Sequence, residues 1–301
     1  MNSTDPRTDF RCAGASVLRD EPIAGTASTV RAFLLLEFTG AWGVDALRDA
    51  RLPDGLGERL RVAAAAAQVR VLLARRPDRS GTEDVRVFAA HAHPVGPWLE
   101  TTALTDVHGV LDLDLAALGA GRSPGLTRVD GSLFCVCTHG RHDACCAERG
   151  RPVAAALETA HPEETWEVTH IGGDRFAANL VVLPHGLYYG RLDPVAALGV
   201  AGGHLAGELD LDHLRGRSGL AMPVQAAEIG LRRRLEETRN DAVRFLGATR
   251  RDDVTEARFD VAGTTYAVRV RTSRGDTQRL TCQAVRDNPV PVHDLLEVAT
   301  Y

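Results

Sequence analysis

SLFCVCTHGRHDACCAERGRPVAAALETA, residues 132–160, is the stretch on whose reading the fold turns. SLFCVC is a short apolar strand, and THGRHD is a polar loop. The Ala-rich run that follows is a helix, with His142 or Asp143 available to cap its first turn. Outward from it, TWEVTHIGG (165–173) is a second strand stopped by a Gly pair. NLVVLPHGLYYGRL (179–192) has the shape of a β-hairpin, with Pro184, His185 and Gly186 at the turn. Asp193 then Pro194 open another helix, a capping acid followed by Pro at the first helical position. The order β–α–β, a short segment, then β–β–α, is satisfied by a thioredoxin-like layer.

Upstream, RAFLLLEF (31–38), VRVLLARR (69–76) and VRVFAAH (85–91) are β-rich runs. A helical stretch from Gly57 to Gln68 separates the first two and predicts a right-handed crossover. RSPGLTRVDG (122–131), rich in Gly, Pro and Ser, marks a boundary near residue 125. Downstream, VQAAEIGLRRRLEETRNDAVRFLG (224–247) has the pattern of a long amphipathic helix, or two. FDVAGTTYAVRVRT (259–272) and RLTCQAV (279–285) alternate like an antiparallel meander with one wet face. The expectation is an α/β protein with an α+β tail. Residues 1–125 form an N-terminal α/β domain, 126–221 a thioredoxin-like domain and 222–301 a helix-plus-meander module. Cys282 is expected on a strand of that module, as packing.

An apolar content of 44% is ordinary for a soluble chain able to bury a core. The net charge of −5, with no basic block, excludes the electrostatic footprint of a nucleic-acid binder. MNSTDPRTDFRC is too polar to begin a secretory segment. AFLLLEF and VAAAAAQVRVLLA are too short to span a bilayer. The expected setting is therefore the cytoplasm, with no membrane partner. Thiols there stay reduced and clustered cysteines bind metal or do redox chemistry.

Four of the 6 cysteines, Cys135, Cys137, Cys145 and Cys146, fall in the opening stretch, and three readings compete for them. They fill space, as buried cysteines do; strand alternation puts Cys135 and Cys137 on one face. Alternatively, Cys135 and Arg141 form a Cys-x5-Arg phosphatase-like loop, or Cys135 or Cys137 serves a thiol-dependent reductase. In the third reading Cys137, at a strand end, and Cys146, in the first helical turn, are metal ligands. A helix start favours the thiolate. Further donors then come from THIGGDRF, where His170 and Asp174 flank Gly172 and Gly173.

Together, CTHGRHDACCAERGRP (137–152) and HIGGDRFAANLVVLPHGLYYGRLDP (170–194) resemble the sucrase/ferredoxin-like family of thioredoxin-like ferredoxins. RCAGASVLRDEPIAGTA (11–27) and RAFLLLEFTGAWG (31–43) are similar to that family's N-terminal part, so the resemblance covers roughly residues 10 to 195. Nothing here suggests a sucrase, since no pair of carboxylates is set for glycoside cleavage.

The resemblance implies a [2Fe-2S] cluster held by two Cys and two His. It maps the cysteines onto Cys137 and Cys146 and the first histidine onto His170. The family's His-x-Gly-Gly-His ends here in Asp174. Either Asp174 ligates through oxygen, or Cys145 or another cysteine completes the set, or the site is degenerate and holds zinc or nothing. The expected role is one-electron transfer to redox partner proteins, an electron carrier and not an enzyme. The alternatives are the thiol-dependent enzyme and a structural or interaction protein with a zinc or degenerate site. His139 and His142 are loop histidines or hydrogen-bond donors around the centre, and Arg141 and Arg175 are solvated or neutralise its charge. Cys12 lies in the N-terminal resemblance. His91, His93, Trp42, Trp98 and Trp166 are structural.

Overall fold

The computed structural model describes residues 9–79 and 83–301; most of the polar start MNSTDPRTDFRC lies outside them. Helix α1 (Cys12–Leu18) precedes strand β1 (Ala32–Glu37). Helices α2 (Ala46–Asp49) and α3 (Leu56–Ala66) then cross over to β2 (Val69–Arg75), parallel to β1. Next come β3 (Val85–His91), β4 (Trp98–Leu104), α4 (Leu115–Gly119) and β5 (Thr127–Arg128). The stretch quoted first becomes β6 (Leu133–Cys137) and α5 (Ala144–Ala160). It is followed by β7 (Thr165–Val168), β8 (Leu180–Leu183), β9 (Leu187–Tyr189), α6 (Pro194–Leu205) and β10 (Leu214–Arg217). The tail comprises α7 (Met222–Leu235) and strands β11 (Val243–Arg251), β12 (Val254–Val261), β13 (Thr264–Gln278) and β14 (Asn288–Thr300).

The first ten strands make one sheet, ordered β10-β9-β8-β6-β7-β2-β1-β3-β4-β5. Strands β6 to β9 have the thioredoxin-like order, with β6 and β7 parallel, β8 antiparallel to β6 and β9 outermost of the four. Strands β1 to β4 repeat it: β1 and β2 parallel, β3 antiparallel to β1, β4 beyond. The two layers join through their equivalent strands, β2 antiparallel to β7. Arg75 and Glu167, paired across that seam, form a buried ion pair at 2.8 Å. Strands on both sides of the loop at residue 125 thus belong to one sheet.

One face of each layer is covered by its own helices. Leu56 and Leu60 of α3 pack on Leu34 and Leu36, and Val153 and Leu157 of α5 on Phe134 and Val136. The other faces of both layers merge in one core that includes Phe33, Leu35, Phe88, Cys135, Trp166 and Tyr188. The sheet rolls up to allow this: Val30 N–H reaches the carbonyl of Ser218, beyond β10, at 2.9 Å. No helix among the described residues is long and apolar enough to cross a membrane.

Two expectations about the tail need correcting. The helix of 224–247 stops at Leu235, with Glu236 in the left-handed region at φ 54°. Beyond it Val243, buried, and Phe245 alternate with exposed Arg244 and Leu246, a period of two that pairs as β11. RLTCQAV is irregular, so Cys282 sits in the loop between β13 and β14 and not on a strand. The four-stranded antiparallel sheet β11-β12-β13-β14 packs Phe259, Val268 and Val270 against Val224, Ala227 and Leu231 of α7.

Helix α6 carries a pH-sensitive contact. His204 is buried beside Phe134 and His185, with Nε2 2.9 Å from Ser132 Oγ. Burial, then the nearby His185 and Arg217, push its pKa down to about 4. Its unfolded pKa is about 6.5, so its contribution is complete above that value and is lost as pH falls toward 4. Stability should decline in this window by up to about 1.4 kcal/mol per pH unit from this one group. Urea unfolding at pH 7.5 and 5 checks it: His204→Phe should lose that part of the pH dependence, and an unchanged slope would assign it elsewhere.

Candidate metal centre

Strand β6 ends at Cys137, and the loop to α5 brings the chain back beside it. Asp143 caps α5 by accepting from Cys145 N–H at 2.9 Å. Consecutive helical residues project about 100° apart, so Cys145 and Cys146 face different neighbours. Cys146 turns toward Cys137 and the loop after β7, while Cys145 turns away toward Cys12 and Cys282. Of the options left open by the sequence, Asp174, and not Cys145, stands beside Cys146.

The loop after β7 reaches the site through Gly172 and Gly173, at φ +100° and +81°. A β-carbon on Gly173 would strike the guanidinium of Arg215, so only Gly lets the backbone pass. Arg215 is fully buried and donates to Gly172 O at 2.9 Å, Asn179 Oδ1 at 2.8 Å and Thr26 Oγ1 at 3.1 Å. Burial lowers its pKa to about 10, and its charge acts on Asp174 and Cys137. Sequence reasoning missed this cation, because nothing in LRGR marks one strand arginine as buried.

The expected donors converge. Asp174 Oδ1 lies 3.1 Å from Cys146 Sγ and 2.9 Å from His170 Nδ1. The His142 ring stacks on His170 at 3.9 Å, with Nε2 3.8 Å from Asp174 Oδ2. The ligand atoms form two groups sharing His170, each within 4.8 Å: Cys137, Cys146 and His170, and His142, His170 and Asp174. Cys137, Cys146 and Asp174 are buried, while His170 lies toward the rim with its side chain 23% exposed.

The electrostatics suit a cation. Cys146 beside Cys137 pulls the Cys137 thiol well below its usual range; burial opposes this and His170 assists. Cys146 is pushed up in turn by Cys137, by burial and by Asp174, so one proton serves two sulfurs. Burial disfavours a charged His170, yet Asp174 and Cys137 outweigh it and raise its pKa to about 9. Burial also opposes ionised Asp174, but His170 holds it below the usual carboxylate range. His170 Nδ1 and Asp174 Oδ1 form an ion pair at 2.9 Å, and a metal ion would displace the proton between them. An imidazole, a buried carboxylate and two buried thiols gathered this closely are donors of the kind that hold a cation. The residues present fit a metal centre.

Neighbouring residues support the loops. His139 Nδ1 accepts from His170 N–H at 3.3 Å, and its Nε2 lies 2.9 Å from Gly43 O. Trp42 packs edge-on to His139 beneath the guanidinium of Arg75. Arg175 is paired with Glu21 at 2.6 Å and so does not neutralise the centre, whereas Arg141 lines a 720 Å³ cleft outside the loop. Cys135 is wholly buried in β6, and burial raises its thiol. It therefore cannot be the thiolate of a Cys-x5-Arg loop. His91, His93 and Trp98 stack on one another away from the site, and Trp166 is core.

A family model described as sucrase/ferredoxin-like matches residues 23–216. Neither a curated protein nor a solved structure matches the chain.

Proposed function

The chain belongs to the sucrase/ferredoxin-like family, and on that footing we propose that it is a thioredoxin-like iron–sulfur electron carrier. Cys137 and Cys146, with His170 and Asp174, would hold a [2Fe-2S] cluster. The observation that carries this is the pair of donor groups meeting at His170, whose Nδ1 lies 2.9 Å from Asp174 Oδ1. Such a cluster supplies one-electron chemistry at a potential set by its ligands.

The protein's part is to hold and tune. Cys137 is readied as a thiolate, so binding displaces few protons from the sulfurs. Asp174 is a harder, negative donor where the family has imidazole, and it lowers the potential relative to two histidines. The buried cation of Arg215 acts in the opposite sense. His170, partly exposed at the rim, is the group able to take up a proton as the charge of the centre changes. The partners are redox proteins docking over His170 and His142.

A single zinc ion on Cys137, Cys146 and His170 is the second reading, favoured because the ligand atoms of these three residues all lie within 4.8 Å of one another. Anaerobic purification with iron, acid-labile sulfide and zinc analysis separates the two. Equal iron and sulfide with visible absorption that bleaches on reduction is expected. Colourless protein holding stoichiometric zinc on these ligands would overturn the electron-carrier reading.

A further inference from the structure

On the far side of the α5 start, three cysteines remote in sequence meet. Cys12 comes from α1, Cys145 from the first turn of α5 and Cys282 from the loop between β13 and β14. All are buried, at 0%, 1% and 7% exposure. Cys145 Sγ is 3.4 Å from Cys282 Sγ, which is 3.6 Å from Cys12 Sγ. Asp143, with no exposed surface, lies alongside: its Oδ1 and Oδ2 are 3.6 and 3.7 Å from Cys12 Sγ. All four ligand atoms lie within 4.8 Å of one another.

We propose that Cys12, Cys145, Cys282 and Asp143 form a second metal site, a structural zinc clasp separate from the centre on Cys137 and Cys146. In a zinc tetrahedron, bonds of about 2.3 Å to sulfur and 2.1 Å to oxygen put sulfurs about 3.8 Å apart and sulfur and oxygen about 3.6 Å apart. The two sulfur–sulfur separations of 3.4 and 3.6 Å are slightly shorter than the first value, and the 3.6 Å from Asp143 Oδ1 to Cys12 Sγ matches the second. The donor set carries the same formal charge as the four-cysteine sites common for structural zinc.

Asp143 is already oriented for the task. Its oxygens accept from Cys145 N–H at 2.9 Å and from Cys282 N–H at 2.6 Å, which ties the loop to the helix start. With the Cys12 thiol these amides give the carboxylate three hydrogen-bond donors, but among the described residues it has no cationic partner. A buried carboxylate without a counter-ion is costly even when hydrogen-bonded, and a dication among the thiolates removes that cost. Plain packing explains three buried thiols, and the cap of α5 explains a carboxylate at position 143, but neither explains why three thiols remote in sequence gather around that carboxylate. A disulfide would consume two sulfurs and leave the third and the carboxylate unmatched.

The clasp joins the N-terminal helix, the start of α5 and the C-terminal module. The two sites are adjacent in sequence but independent, so the clasp does not require that the other centre hold iron.

The test is metal analysis of the full chain expressed with zinc in the medium. Wild-type protein should hold one zinc per chain that Cys12→Ser and Cys282→Ser each lose, with the iron and visible spectrum kept. Cys137→Ser should lose iron and keep this zinc. Zinc retained by Cys282→Ser, or lost from Cys137→Ser in its place, would overturn the clasp. The second of those outcomes would instead support zinc at the first centre. Should the serine variants fail to fold, thiol alkylation of wild type mapped by mass spectrometry decides. Cys12, Cys145 and Cys282 should be protected until a zinc chelator is added. Two of them found oxidised to a disulfide, or all three alkylated equally fast without chelator, would refute the site.

Discussion

Cys137→Ser and Cys146→Ser should each lower metal affinity at the first centre by more than about 100-fold, whereas Cys135→Ser should leave metal content unchanged. Altering residues that merely orient metal ligands costs about 10–100-fold, so losing a thiolate itself must exceed that range. Cys137 and Cys135 lie on the same strand and face, and both are buried. What separates them is the neighbour. Cys137 adjoins Cys146 and His170, and Cys135 packs among Trp166, Val181 and other core side chains. His139→Ala, which removes the acceptor for His170 N–H, should fall within the 10–100-fold range. Iron and sulfide per chain in the variants, purified anaerobically in parallel, is the measurement. Equal metal content in Cys135→Ser and Cys137→Ser would remove the assignment.

The parts of the site legible in the sequence were those carried by short-range pattern. Strand, polar loop and capped helix follow from SLFCVC, THGRHD and the Asp143 cap. The Gly pair after His170 pointed to a close approach, although its cause, Arg215, lies more than 40 positions downstream. Donors of both loops converge because β6 and β7 are parallel neighbours joined by α5, which returns their ends to one edge. That geometry was implied by the β–α–β order. Contacts set by chain closure were not legible. Cys282 meets Cys12 across 270 positions, and no periodicity encodes such a meeting. The duplicated layer escaped notice too. VRVLLARR and TWEVTHIGG share only β character, while their equivalence lies in strand order and in the β2–β7 seam. The pattern of 224–247 predicts too long a helix because Arg and Glu suit an exposed strand edge as well as a helix face, and left-handed Glu236 carries no sequence mark.

Glu228→Ala should destabilise the protein by about 3–5 kcal/mol, since it leaves two buried cations without their counter-ion. Glu228 Oε1 lies 2.9 Å from Nε of both Arg217 and Arg232. All three side chains are nearly inaccessible, and each arginine also donates to Asn240 O, at 2.9 and 3.2 Å. Arg217 belongs to β10 and Glu228 and Arg232 to α7, so the triad joins the large sheet to the module that supplies Cys282. Burial opposes an ionised Glu228, but the two arginines hold its pKa below the usual range. Its stabilising effect is therefore complete above the unfolded value of about 4.3 and is lost as pH falls through the lower folded value. Urea midpoints at neutral pH test the size, and replacing all three residues together tests the cause. Arg217→Met, Glu228→Leu and Arg232→Met combined should recover most of the loss, because removing every charge also removes the desolvation that Glu228 offsets. If the triple variant were as unstable as Glu228→Ala, the loss would lie in packing at the β10–α7 contact. If Glu228→Ala cost less than about 1 kcal/mol, the arginines would be hydrated in solution and the triad would not hold the module to the sheet.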